Sequence, residues 1–215
     1  MKNPFLSITT ALLCTTLSSC FLITPTQKFD QANAMYHSGQ KEQAIPLLTE
    51  AAEGGDSNAQ LMLAKCYDFG NGVPQDMKKA VHWYARAALA GNANAQDNLG
   101  TCLATGSGVD KNLELAFSWY SKAAEQQYPP AFNNLGLCFR NGEGVPQDAI
   151  RAAQCFNQAA LLGDANGMYN LGRCYFHGLG VQQDPEQAKF WVTKAAGMGH
   201  KNATLFMQDN QWQAQ

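Results

Sequence analysis

Ser38 and Lys41 stand three residues apart in Ser38-Gly39-Gln40-Lys41. At that spacing a lysine amine can take the proton of a serine hydroxyl and leave a nucleophile for acyl transfer. The same chemistry calls for a Lys-Thr-Gly and a Ser-Asp-Asn elsewhere, and the chain contains neither. The pair then reads most simply as a chance match in a turn. The four histidines (His37, His82, His177, His200) are scattered, with no His-Glu-x-x-His. The seven cysteines show neither Cys-x-x-Cys nor a mixed Cys/His spacing, so no metal and no cofactor are expected. A Gly-x-Gly recurs along the chain, but no third glycine follows at dinucleotide spacing and no Gly-Lys-Ser/Thr follows at all.

Residues suited to holding a partner are more regular. Asn98, Asn134 and Asn170 are separated by 36 residues each. An amide carries both donors and an acceptor, so such a row could grip the backbone of an extended peptide. It could equally satisfy a neighbouring helix. Arg140 and Arg173, with Lys65, could meet acidic side chains or a chain-terminal carboxylate. The aromatic series Trp83, Tyr84, Trp119, Tyr120, Phe156 and Trp191 lies at helical spacing, where packing between units is the commoner reason for a stripe than sugar stacking.

The elements that must position these side chains follow from the same 36-residue register. Leu63, Leu99, Leu135 and Leu171 are equivalent, as are Gly72, Gly108, Gly144 and Gly180, each glycine followed by valine. Alanine pairs recur at 87–88, 123–124, 159–160 and 195–196. A fixed period in this range marks an array of supersecondary units. Within one unit, Ala59, Leu63, Cys66, Tyr67 and Gly70 form one helical stripe, and Ala80, Trp83, Tyr84, Ala87, Ala88 and Gly91 form a second. Asp76, Asn112, Asp148 and Asp184 stand where a side-chain oxygen would cap the second helix, with Pro185 at the first helical position after the last of them. Ala64, Gly100, Gly136 and Gly172 are small where two helices would need to approach closely.

The pattern Ala-x-x-x-Leu-[Gly/Ala]-x-Cys, then Gly-x-Gly-Val, then [Asp/Asn]-x-x-x-Ala-x-x-Trp with a closing Ala-Ala-x-x-Gly, resembles the Sel-1-like repeat, a relative of the tetratricopeptide repeat. The resemblance implies an all-α fold, a right-handed α-solenoid of helix-turn-helix units. It implies that the first helices line a concave groove. The groove positions are then Leu61, Met62, Lys65 and Asp68, followed by Asp97, Asn98 and Thr101. The next two units contribute Asn133, Asn134, Leu137 and Arg140, and Tyr169, Asn170 and Arg173. Some cysteine-rich relatives staple the two helices of a repeat, which here only Cys138 and Cys155 could do. The geometry of packed helices, about 8–10 Å apart, is too wide for a disulfide ladder along Cys66, Cys102, Cys138 and Cys174. Small buried thiols are the alternative. Some relatives have also been suspected of β-lactam chemistry.

Taken in order, residues 1–19 read as a signal peptide: Lys2, an apolar run, then Leu17-Ser18-Ser19-Cys20, which resembles a bacterial lipobox. A lipid on Cys20 is expected, with Cys14 a poorer candidate and a plain signal peptide or an uncleaved anchor the alternatives. Phe21 after the cysteine points to the periplasmic face of the outer membrane. Residues 20–27 are expected to be a lipid-anchored tether and 28–56 a tetratricopeptide-like first repeat with an inter-helix loop five residues shorter than the others. Repeats 57–92, 93–128, 129–164 and 165–200 follow, with a polar capping helix over 201–215. A net charge of −2 and 15% charged residues leave no basic stripe for nucleic acid. The function these readings support is a membrane-anchored scaffold without catalysis, binding another protein or peptide of the cell envelope. The alternative is a penicillin-recognising or β-lactamase-like envelope enzyme using Ser38 and Lys41.

Overall fold

A computed structural model of the chain describes residues 23–212. The signal segment, Cys14, Cys20 and residues 213–215 lie outside the described residues. Eleven helices and no strand occur among the described residues: α1 (Pro25–His37), α2 (Lys41–Glu53), α3 (Ser57–Phe69), α4 (Met77–Leu89), α5 (Ala93–Thr105), α6 (Leu113–Glu125), α7 (Pro129–Asn141), α8 (Ala149–Leu161), α9 (Ala165–His177), α10 (Pro185–Gly197) and α11 (Lys201–Asp209). Each helix packs antiparallel-fashion against the next in sequence, so five hairpins stack in a row and α11 closes the end. The first helices of neighbouring repeats also approach one another, α1 against α3 and α7 against α9, which defines an inner face.

Local chemistry starts and stops each helix. Asp76, Asn112 and Asp148 accept from the backbone N–H of Lys79, Leu115 and Arg151, and Asp184 accepts from Glu186 and Gln187, as the cap spacing predicts. The first helices are capped in the same way by Asp56, Asn92, Asp164 and the ring of His200. Tyr128 offers α7 no such bond, and prolines 129 and 130 open that helix instead, where a missing N–H costs nothing. At the other end Gly70, Gly106, Gly142 and Gly178 turn left-handed and donate to the carbonyls of Cys66, Cys102, Cys138 and Cys174. The cysteine row therefore serves partly through its backbone.

The second glycine of each Gly-x-Gly joins one repeat to the one before it. Gly72, with φ of +79°, lies so close to α2 that an added Cβ would stand 3.0 Å from the Lys41 carbonyl. Gly108, Gly144 and Gly180 press in the same way on Met77, Leu113 and Ala149, the first residues of α4, α6 and α8. Inside a repeat the small positions do what their size suggests. A Cβ on Gly100 would meet the Tyr120 ring at 2.7 Å, and one on Gly172 would meet Val192 at 2.6 Å. The alanine pairs are buried almost without exception, and Tyr84, Phe156, Leu63 and Leu171 fill the space they leave. Gln60 and Gln96, buried at successive junctions, donate to the carbonyls of Ala52 and Ala88 and tie α3 to α2 and α5 to α4.

Both ends differ from the sequence expectation. α1 begins at Pro25, with Thr24 and Gln27 forming a capping box, so residues 25–27 are helical and not tether. The first inter-helix loop holds three residues (38–40) against seven (70–76) in the next repeat, a difference of four and not five. The cause is register: α1 and α3 are both 13 residues long, which places Tyr36 opposite Asp68 and not Tyr67. At the C-terminal end α11 stops at Asp209 and the chain turns back, setting Trp212 edge-on to Phe206 and Phe176.

Two substitutions separate the close approach from the backbone angle. Gly144→Ala meets both a φ of +72° and the Leu113 backbone, whereas Gly163→Ala meets a φ of +91° in open space. Urea denaturation is expected to show a loss of about 1 kcal/mol for Gly163→Ala and at least about twice that for Gly144→Ala. Equal losses would show that the repeats do not depend on this contact.

Candidate functional site

The inner face is built from one side of α1, α3, α5, α7, α9 and α11, and its residues fall into columns set by the repeat. The asparagine column is not free. Asn134 Nδ2 donates to Asp97 Oδ1 at 2.8 Å, and Asn170 Nδ2 donates to Asn133 Oδ1 at 2.8 Å. Each bond spans 37 residues, one repeat plus one position, so it crosses from a first helix to the first helix before it. Asn98 faces a repeat with Leu61 in the accepting place, and its amide turns to the Asn94 carbonyl of its own helix at 2.8 Å. Two members of the row thus bond the preceding first helix, and the third bonds its own. Thr101 is likewise engaged, donating to the Asp97 carbonyl and accepting from the Tyr120 hydroxyl at 3.2 Å.

Asp97 is the unusual member. It is 8% exposed and forms no ion pair; Asn133, its counterpart one repeat on, is 7% exposed. Burial pushes the Asp97 carboxyl up to about 6, and the nearby Asp164 charge adds to this while the Asn134 donor offsets part of it. Asp164 is raised by its own burial despite capping α9, and both acids act on the half-buried Tyr128, whose phenol is raised first by burial.

Three regions of the inner face remain open to a partner. At the N-terminal end a cavity of ≈ 390 Å³ lies between α1 and α3, lined by Phe29, Asn33, Tyr36, His37, Asn58, Leu61, Met62 and Lys65. Leu61 and Lys65 were legible from the repeat register. Phe29, Asn33 and Tyr36 were not, because α1 is out of register and its contribution depends on the short loop. In the middle, Leu137 and Arg140 of α7 lie beside Arg173 of α9, all half-buried. Arg140 donates from Nη1 to Asn170 Oδ1 at 3.4 Å and from Nε to Asn141 Oδ1 at 3.2 Å. At the C-terminal end Tyr169 stacks at 4.7 Å from the His200 ring and meets Phe206 edge-on at 6.2 Å.

Ser38 and Lys41 are not brought together for acyl transfer. Ser38 Oγ donates to the Met35 carbonyl at 2.8 Å, and the Lys41 amine sits over the Tyr36 ring at 5.3 Å. Cys66, Cys102, Cys138, Cys155 and Cys174 are all free thiols, so Cys138 and Cys155 do not pair. Burial raises the thiols of Cys102, Cys138, Cys155 and Cys174 to about 11, which leaves them protonated and poor nucleophiles at neutral pH. No group of three or more metal-ligating side chains occurs among the described residues, and none of the described helices is long and apolar enough to cross a membrane. The chemistry on offer is that of a binding surface: apolar hollows, stacked cations and amides.

Fold and face together define a repeat scaffold, a stack of helix hairpins presenting a continuous inner surface. The Sel1 repeat matches four consecutive segments, residues 57–92, 93–128, 129–164 and 165–200, and the chain belongs to the Sel1 repeat family. A Sel1 repeat protein from Oxalobacter formigenes is 31% identical over 84% of this chain and 73% of its own, with a TM-score of 0.80. The protective antigen c5321 of uropathogenic Escherichia coli is 32% identical at a TM-score of 0.75, over 83% of this chain but 39% of its own length. The fold also matches the immunity protein Pa5087 from Pseudomonas aeruginosa, 23% identical over 82% of this chain and 69% of that one, at a TM-score of 0.58. No curated protein is significantly similar to the chain.

The raised Asp97 carboxyl has a signed consequence for stability. An unfolded aspartate titrates near 4, so the folded state holds a proton that the unfolded state has released between about pH 4 and 6. Stability therefore falls as pH rises through that window and stays reduced above it, with Asp164 contributing in the same sense. Asp97→Asn copies the Asn133–Asn170 pair of the next repeat. At about pH 7.5 it is expected to raise the unfolding free energy by roughly 1–3 kcal/mol, and to do much less near pH 4. Denaturation curves showing an equal effect at both pH values would exclude a charged, buried Asp97.

Proposed function

We propose that this protein is a non-catalytic scaffold of the bacterial cell envelope that binds another protein through its inner face. The observation that carries this reading is the division of labour on the first helices. Ala59, Leu63, Ala95, Leu99, Ala131 and Leu135 are buried in the stack, while Leu61, Lys65, Leu137, Arg140, Tyr169 and Arg173 stay half-exposed along one side. A run of apolar, aromatic and cationic groups on a rigid, pre-formed surface is what a peptide or protein segment needs, because little ordering entropy is lost on docking. Sel1 repeats form scaffolds of this kind, and nothing on the inner face joins a nucleophile to a base.

Anchoring belongs to the same proposal. Leu17-Ser18-Ser19-Cys20 supports lipid attachment at Cys20, and α1 begins at Pro25, so a lipid there would hold the first repeat within a few residues of the bilayer surface. Residues 21–24 span at most about 14 Å when extended. The periplasmic face of the outer membrane is the location this arrangement suits.

Site-specific photocrosslinkers in living cells test the face. Placed at Leu61, Leu137 or Tyr169, they are expected to yield one discrete adduct, whereas placement at Lys78 or Glu114 on the second helices yields none. Adducts confined to the second-helix sites would move the binding surface to the outside of the stack. Mass spectrometry of the mature protein tests the anchor. A diacylglyceryl group on an N-terminal Cys20 is expected, lost in Cys20→Ala, and an unmodified N-terminus elsewhere would rule the lipid out.

A further inference from the structure

We infer that Arg140 and Arg173 together form a binding site for a carboxylate group carried by the protein partner. This rests on the reading of the inner face as the binding surface and says which chemical group that surface recognises. The two arginines belong to neighbouring first helices, α7 and α9, and Arg140 Nη1 reaches across to Asn170 Oδ1, three residues before Arg173, at 3.4 Å. Burial and the Arg173 charge both hold the Arg140 guanidinium below its usual range. Two cations thus share a half-buried place, and the low dielectric around them strengthens their repulsion.

No carboxylate pairs with either guanidinium among the described residues. The ion pairs among the described residues are Lys28–Glu50 and Lys79–Asp76, both remote in sequence from this site. The oxygens that Arg140 does reach, on Asn170 and Asn141, belong to neutral amides. Within the chain the Cys174 thiol and then the Glu143 charge favour the charged Arg140, but Glu143 is held by Asn141 Nδ2 at 3.2 Å and makes no ion pair.

Each guanidinium lies over an aromatic ring, Arg140 at 6.0 Å from the centroid of Phe156 and Arg173 at 5.8 Å from that of Tyr169. A guanidinium is a planar fork of N–H donors, which matches the two oxygens of a carboxylate. A carboxylate arriving between them gains two charge-assisted contacts and removes the repulsion that the unliganded protein carries. Leu137, three residues before Arg140, and Tyr169, four before Arg173, lie on the same helix faces and offer half-buried apolar surface to the chain that bears the acid. That surface favours a peptide carboxylate over a free inorganic anion. The other two arginines also stack on rings, Arg86 on Trp83 and Arg151 on Phe139, but neither adjoins a second arginine in this way. They provide an internal control.

The test is an NMR titration of the full chain, reading the Nε–H resonances of all four arginines. Three small probes are added separately: N-acetylglutamate amide (a side-chain acid), N-acetylalanine (a terminal acid) and N-acetylglutamine amide (neither). Saturable shifts are expected at Arg140 and Arg173 with one or both acids, at least about ten-fold tighter than any shift at Arg86 or Arg151, and none with the glutamine probe. Which acid acts separates a side-chain carboxylate from a chain terminus as the source. Arg173→Gln should abolish the response at Arg140 while the melting temperature holds. Uniform shifts at all four arginines, no saturation, or an Arg140 response that survives Arg173→Gln would overturn the site, as would inorganic phosphate binding where both acids fail. A photocrosslink from Leu61 that forms undiminished in Arg140→Gln/Arg173→Gln cells would also remove this site while leaving the inner face as the binding surface.

Discussion

No helix pair in this protein can bury its own apolar stripe; each is completed only by the next pair in the row. What permits the next pair to come close enough is the bare backbone of one glycine per junction. Gly72, Gly108, Gly144 and Gly180 each lie against the opening residue of a second helix in the repeat before, at distances that leave no room for a Cβ. Their left-handed φ also shapes the seven-residue loop between the two helices of their own repeat. Stacking, loop shape and helix register are therefore set by the same atom that is missing.

From that constraint the character of the inner face follows. Once repeats are locked at this spacing, side chains in one column meet the column before at an offset of one repeat plus one residue. Where the types are complementary, as in Asn134 with Asp97 and Asn170 with Asn133, they form a ladder. Where they are not, as with Asn98 opposite Leu61, the amide folds back on its own helix. Arg140 and Arg173, 33 residues apart, are carried by the neighbouring helices α7 and α9, and neither forms an ion pair among the described residues. Structural bonding and binding capacity on this face are thus two outcomes of one geometry, decided position by position by which residue types happen to be brought together.

Most of the candidate site was legible as a set of columns, and much less of it as a set of roles. The 36-residue period identifies Asn98, Asn134 and Asn170 as equivalent, but equivalence in sequence says nothing of the 37-residue step that joins each to a different neighbour. Asp97 looks like any solvated acid until α5 and α7 close over it. The apolar cavity at the N-terminal end was hidden for another reason. Phe29, Asn33 and Tyr36 belong to a helix whose register depends on a loop four residues shorter than the rest, and a shortened loop can be measured in sequence only to within the alignment of its flanks.

The sequence alone determined that the chain is an all-helical array, where the second helices of the four regular repeats start, and which face of each repeat helix is buried. Those properties depend on interactions within a few residues, caps, left-handed glycines and a stripe of period 3.6, and so are written locally. Tertiary structure decided which polar groups are consumed between repeats and which are left over. That depends on the rise and rotation from one hairpin to the next, a distance relation between residues more than thirty positions apart, and it exists only once the glycine contacts have set it.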